Sequence, residues 1–557
     1  MSNIMSLKGI MNKPRRNGFD KSQKNAFSAK AGELLPCLCE EVLPGDKFKI
    51  NLSAFTRTMP VDTAAYTRLR EYYDFYFVPI RQLWRYADDF FIQMNNTTSA
   101  TSVVGGSAGT FTSHPWIDTH DIEEFITQLQ IGYDDLEGTS NIFGEPRSYG
   151  MNKLLEYLGY VGDFGQHSTN TAGVRPDVSV NPFPLLAYQK IYSDYYRFDQ
   201  WEKVNPSLFN VDYINNPNST QITFPTHPRE YRDSFFDLRY CNWNKDLFTG
   251  LVPSPQFGDT AVASPLTGTL AGELRKGLGM DYFDIDSSLS HSTGLSIFAL
   301  RQCEAMQRWS EISGSHRQNY QDQLKAHWNV SVSDERSGRS KYLGGVSSNI
   351  DINEVVNNNL ASSSSHADIA GKGAGVSNGH IEFESHDYGI IMCIYHCVPL
   401  LDYTANGFSP LCLKRDATDY AIPELDSLGM QPVPLSWLLW TNSKETDELG
   451  YVDTELGYAP RYIDYKTSID RVRGAFTGSL RNWVTPVDRE ALVTAMINSM
   501  HSYNRPITWP FFKVNPRVLD SIFAQSADDT YDTDQFLVNA YFDCKIVRNL
   551  DYNGLPY

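Results

Sequence analysis

Cysteine is sparse in this chain: eight residues in 557, with no Cys-x-x-Cys pair. Cys37, Cys39, Cys241, Cys303, Cys393, Cys397, Cys412 and Cys544 are too few and too scattered for a disulfide scaffold, so they read as reduced thiols of a cytoplasmic assembly. Long apolar runs are missing as well. The best, Gly389 to Leu401, is broken by His396 and Pro399, which argues against membrane insertion. The first thirty residues are polar and basic, without the apolar stretch of a secretory signal.

Catalytic motifs are equally wanting. Gly105-Gly106-Ser107-Ala108-Gly109 has the spacing of a nucleophile elbow, but its flanks read as loop rather than as strand and helix. Gly371-Lys372-Gly373-Ala374-Gly375 lacks the Gly-Lys-Ser/Thr ending of a phosphate loop and reads as flexible loop. No His-Glu-x-x-His helix occurs. Asp528, Asp529, Asp532 and Asp534 cluster before the last strand. Asp528, Asp532 and Asp534 form a weak Ca²⁺ candidate, because the glycine and closing Glu of a calcium loop are absent and a solvated acidic loop explains them as well. The expectation is no enzyme, no cofactor and no resident metal.

Aromatic residues are plentiful, at 13% with 32 Tyr and 30 Phe. They suit pleated, half-buried surfaces and wide contacts. Lys47 to Phe55 alternates, with Phe48, Ile50, Leu52 and Ala54 on one face; Val538 to Ile546 does the same near the other end. Tyr72 to Val78 reads as an aromatic strand, and Gly389 to Val398 as a strand buried on both faces. Helix is the minority: Ile297, Leu300, Cys303, Met306 and Trp309 recur every third residue, and a shorter helix follows over Arg317 to Trp328. The Met and Trp of that stripe read as core packing. Long polar stretches (Asn95 to Ser113, Gln166 to Asn181, Asn357 to Gly379) read as surface loops. The pattern predicts a mainly β sandwich or barrel with elaborated loops and few helices.

Charge is unevenly placed. The chain carries a net −18, yet residues 1–30 hold Lys8, Lys13, Arg15, Arg16, Lys21, Lys24 and Lys30 against Asp20 alone. The remainder stands at −24. Such a chain meets a polyanion at one end only.

Several blocks carry a resemblance. They include Glu41-Val-Leu-Pro-Gly-Asp46, Tyr72-Tyr-Asp-Phe-Tyr-Phe-Val-Pro79, Leu185-Leu-Ala-Tyr-Gln-Lys-Ile-Tyr192 and Trp243-Asn-Lys-Asp-Leu-Phe-Thr249. Leu324-Lys-Ala-His-Trp328, Leu428-Gly-Met-Gln-Pro-Val433 and Gly457-Tyr-Ala-Pro-Arg-Tyr462 follow in order. Together they resemble the major capsid proteins of the Microviridae, in particular the gokushovirus-like branch. The resemblance implies an eight-stranded antiparallel jelly roll with long loop insertions and a few short helices. It also implies a T=1 shell of sixty copies around circular single-stranded DNA, a virion protein assembled in the bacterial host cytoplasm. Expected partners are further copies, that genome, other phage structural proteins and a host-cell surface receptor. Residues 1–33 are then a basic N-terminal arm and 34–557 one capsid domain with insertions at about 95–181, 259–294 and 357–380. The arm's Lys13, Arg15, Arg16, Lys21, Lys24 and Lys30 are the expected DNA contacts, with Phe19 and Phe27 placed to stack on bases. The competing readings are a β-sandwich receptor- or carbohydrate-binding protein and a hydrolase with a carboxylate pair.

Overall fold

The alternation over Lys47 to Phe55 continues into a twelve-residue strand, β4 (Lys47–Thr58), whose side chains are buried and exposed by turns. The computed structural model describes residues 15–61, 65–92, 114–130, 140–162, 164, 177–214, 221–223, 233–254, 297–317, 320–357, 368–404, 406–440, 455–485, 487, 492–493, 507–523 and 534–552. Its largest element is a curled antiparallel sheet. The strands are β1 (Asn17–Asp20), β2 (Gln23–Ala29), β3 (Leu35–Val42), β4, β5 (Leu69–Pro79), β8 (Lys341–Asn357), β9 (Asp368–Glu384), β10 (Gly389–Pro399) and β13 (Phe536–Arg548). They run in the order β1-β13-β4-β9-β8-β5-β10-β3, with β2 also on β13. Two small pairs lie apart: β6 (Ile117–Asp118) with β7 (Ser179–Val180), and β11 (Met430–Pro434) with β12 (Glu455–Pro460).

The two strands most legible in the sequence are neighbours: β4 and β13 pair from Lys47↔Val547 to Thr58↔Phe536. β8 pairs with β5 through its first half and with β9 through its second, which carries the sheet around its bend. The two edges approach each other, because Lys21 on the β1–β2 turn pairs with Glu40 of β3 and Asn25 Nδ2 donates to the Cys37 carbonyl at 2.8 Å. Inside the curl, β10 is buried along its whole length between β5 and β3. Each Ile of β10 contributes roughly 1.5–3 kcal/mol by leaving water. One carboxylate sits among them: Glu71 accepts from Thr56 Oγ1 at 2.6 Å, Ser348 Oγ at 2.7 Å and Ser377 Oγ at 2.9 Å, so hydroxyls from β4, β8 and β9 satisfy it.

The helices include α1 (Ala87–Ile92), α2 (Thr119–Gln130), α3 (Arg147–Tyr157), α4 (Phe183–Ile191), the single turn α5 (Val211–Ile214), α6 (Ile297–Ser315) and α7 (Tyr320–Trp328). Among the described residues no helix is long and apolar enough to cross a membrane.

Four expectations need correction. Strand begins at Asn17, inside the segment 1–33 read as an arm, because β1 and β2 find partners along β13. The span 95–181 is not loop throughout: Ile122, Phe125, Ile126 and Leu129 of α2, and Met151, Leu154 and Leu155 of α3, are core residues. Asn357 to Gly379 is not a surface loop throughout either: from Asp368 on it is β9, which takes in Gly371 to Gly375. Its glycines are demanded by crowding: a Cβ on Gly373 would stand 2.6 Å from Thr58 Cγ2, and one on Gly379 1.9 Å from Val346 Cγ2. Lastly, Met306 and Trp309 of α6 are exposed rather than core. The two helices pack on each other, and that contact leaves both side chains exposed.

Candidate functional site

The basic N-terminal segment reaches the sheet as β1 and β2, and the sheet decides where its cations go. Strand β2 alternates, so Lys24 points outward, in register with Tyr541 of β13. Arg57 stands on the same outer face of β4, its guanidinium 5.0 Å from the Phe55 ring. Helix α3 adds Tyr149, Lys153 and Tyr157, spaced by four and therefore on one helix face. Together these residues line a cavity of about 960 Å³, with Phe27, Asn152, Asp534 and Leu537 completing its wall.

The floor of the cavity is ionic. Lys153 Nζ lies 2.7 Å from Glu33 Oε2 and 2.8 Å from Asp534 Oδ1. Ser28 Oγ donates to the second oxygen of Asp534. Burial works against the Lys153 ammonium, but the Glu33 and Asp534 carboxylates outweigh it and hold its pKa well above the usual lysine value. Burial pushes the Glu33 carboxyl up, with Lys153 pulling the other way. The neighbouring Tyr157 phenol is pushed up to about 12, first by burial. Asn152 is buried, with its Nδ2 donating to the Phe164 carbonyl at 3.0 Å and its Oδ1 unpartnered.

The expected DNA contacts fall into distinct environments. Lys13 lies outside the described residues. Arg15 is exposed; Arg16 is exposed too and donates through Nε to Asn549 Oδ1 at 3.0 Å. Lys21 is tied to Glu40. Lys24 opens on the cavity. Lys30 is buried, its Nζ 3.3 Å from Glu145 Oε1, which Arg517 Nε also approaches at 3.3 Å. Phe27 is part-buried and packs edge-on against Tyr157 and Tyr395, while Phe19 stacks on Tyr552. The fold thus brings Lys24, Arg57 and Lys153 to the cavity wall, whereas Lys30 does not line it, although its Nζ and that of Lys153 both stand over the Tyr149 ring, at 5.6 and 6.0 Å. Arg57 and Lys153 escaped the sequence reading. Tyr149, Lys153 and Tyr157 carry a signal, the four-residue spacing, that shows only once 147–157 is known to be helix.

Of the Ca²⁺ candidate, Asp528 and Asp532 lie outside the described residues, as does Asp529, and Asp534 is engaged by Lys153. Among the described residues no group of His, Cys, Asp and Glu is arranged to hold a metal. Ser107 also lies outside them.

A family model described as Capsid protein (F protein) matches residues 10–145 and 265–554, most of the chain and both of its ends. The chain belongs to that capsid protein family. Capsid protein VP1 of Chlamydia phage 1 is 23% identical over 555 residues, covering 84% of this chain and 86% of its own length. Capsid protein VP1 of Bdellovibrio phage phiMH2K is 22% identical over 499 residues, with 83% and 82% covered. The likeness to Microviridae capsid proteins drawn from the sequence therefore holds. A capsid protein is structural and assembles with other copies into the virion. The matched segments contain Lys24, Arg57 and Asp534, whereas Lys153 and its helix fall between them.

Proposed function

We propose that this capsid protein is a major capsid protein that closes into a T=1 icosahedral shell of sixty copies around circular single-stranded DNA. Its sheet is read as an eight-stranded jelly roll with insertions. The family match across both ends of the chain carries the proposal. The pairing of β4 with β13 and the curl that brings β3 toward β2 support the jelly-roll reading. The N-terminal segment, 1–33, serves as the arm that meets the genome. Its contacts are Lys13, Arg15, Arg16, Lys21 and Lys24, with Lys30 anchoring the arm's root. Assembly takes place in the host cytoplasm with other phage structural proteins, and the finished particle engages a host-cell surface receptor.

Light scattering and cryo-EM on particles from co-expressing cells test the shell. One species near sixty subunits with strict icosahedral symmetry is expected. A mature form that is monomeric or a small open oligomer would refute it. Genome contact is tested by salt: single-strand phosphate contacts each contribute about −0.7 to the log–log slope, so replacing four arm cations lowers the slope measurably.

A further inference from the structure

We infer that the α6–α7 hairpin is a contact surface for a second copy of this chain, with Trp309 and Trp328 as its anchors. The inference rests on the shell reading and names a surface that reading leaves open. In the subunit, Trp309 is 62% exposed, Trp328 74% and Tyr320 67%, with Met306 and Val330 also exposed. No described side chain of either helix is buried. The pair is nonetheless built to hold its shape. Trp309 stacks on the His327 ring with centroids 6.2 Å apart, Ser313 Oγ and His327 Nε2 lie 2.9 Å apart, and Gln323 Nε2 donates to the Ser313 carbonyl at 2.9 Å. Gln200 Nε2 donates to the Gly314 carbonyl at 2.8 Å and ties the hairpin to the body.

A rigid, aromatic, uncovered surface of this kind marks an interaction site. Charge selects the occupant. The chain is acidic overall, at −18, so copies repel each other over most of their surface. Over residues 297–328, however, Glu304, Glu311 and Asp322 stand among Arg301, Arg308, Arg317 and Lys325, so the acidic excess of the chain is absent there. A patch that holds both signs and lacks the acidic excess of the body suits another copy of this acidic chain. Tryptophan brings large area at small entropic cost, and a capsid protein presents every copy with further copies.

Hydroxyl-radical footprinting with mass spectrometry tests this on unassembled subunits and closed particles. Trp309 and Trp328 should oxidise readily in the subunit and be protected in the particle. Trp309→Ser with Trp328→Ser should lower the subunit's melting temperature only slightly, since neither ring is buried there and only the Trp309–His327 stack is lost, yet cut the yield of closed particles by about tenfold or more. Protection already present in the free subunit would mean the chain covers its own hairpin, and would overturn the inference. So would equal oxidation in the particle, the result expected if the surface faces solvent, a receptor or another phage protein. Normal assembly of the double variant would overturn it too. Failure of the wild type to form closed particles would end the shell reading and this inference with it. Closed particles with reactive tryptophans would end this inference alone.

Discussion

Lys30 Nζ lies 3.3 Å from Glu145 Oε1 with both side chains buried, so the last cation of the basic segment is a fastener rather than a free charge. Lys24, six residues earlier, stands exposed at the rim of the cavity. One basic stretch therefore divides into two kinds of lysine. Removing one partner of a buried ion pair typically costs roughly 3–5 kcal/mol. Arg517 keeps company with the same carboxylate, so Lys30→Gln should fall at or below the lower end of that range. Lys24→Gln should leave thermal stability unchanged and reduce DNA retention. Differential scanning fluorimetry on subunits and nucleic-acid content of purified particles check both; equal melting losses in the two variants would erase the distinction.

Lys153 holds two carboxylates, buried Glu33 and part-buried Asp534. Lys153→Met leaves both without a cation and should destabilise the subunit by roughly 3–5 kcal/mol. Asp534→Asn should cost less, because Glu33 retains the ammonium. The folded pKa of Lys153 is raised, so its contribution is fully present below the unfolded lysine value and is lost only as pH rises through the higher folded value. The stability gap between wild type and Lys153→Met should therefore stay constant from pH 7 to about 10 and close only at more alkaline pH. Urea denaturation across that range reads it.

The strands were plain in the sequence wherever one face meets water, because burial then writes an alternating pattern, as in Lys47 to Phe55. The same rule hid β9. Its Gly373 and Gly379 press on Thr58 and Val346, a contact that leaves no apolar signature. Ile122, Phe125, Ile126 and Leu129 do carry a helical period, but it is short and embedded in a polar span. The stripe through Met306 and Trp309 carries the period of a buried face, and periodicity alone does not say whether the cover is the same chain or another. The cavity was illegible for a different reason. Lys24, Arg57 and Lys153 come from β2, β4 and α3, and only pairing through β13 and the packing of α3 bring them together.

Thiol chemistry should set Cys412 apart from the buried cysteines. Among the described residues Cys412 is exposed, whereas Cys37, Cys241, Cys393, Cys397 and Cys544 are buried, and none is in a disulfide. Burial also pushes the Cys241 thiol up to about 12 and the Cys544 thiol up to about 11, which further depletes the reactive thiolate. Brief maleimide treatment of the native subunit should label Cys412 ahead of these five. Peptide mapping checks this, and early labelling of Cys241 or Cys544 would contradict the packing described for them.

Acid should weaken the subunit through His396. This imidazole lies in β10, buried between the stacked ring of Tyr72, 4.9 Å away, and the edge-on ring of Tyr196, 5.4 Å away, and its Nδ1 has no partner. Burial pushes its pKa down to about 3 from the ordinary 6.5. Between those values the unfolded chain binds a proton that the folded chain refuses. Stability from this group is thus complete above about pH 6.5 and is lost progressively as pH falls toward 3, by at most about 1.4 kcal/mol per pH unit. His396→Phe keeps an aromatic ring against Tyr72 and removes the titration. At pH 7 the variant should match or exceed the wild type, since it also removes an unpartnered buried nitrogen. At pH 4.5 it should be clearly the more stable of the two. The carboxylates titrate in both proteins, so the readout is the difference between their urea midpoints as pH is lowered. A difference that stays flat from pH 7 to pH 4.5 would show that His396 is not held neutral by its surroundings.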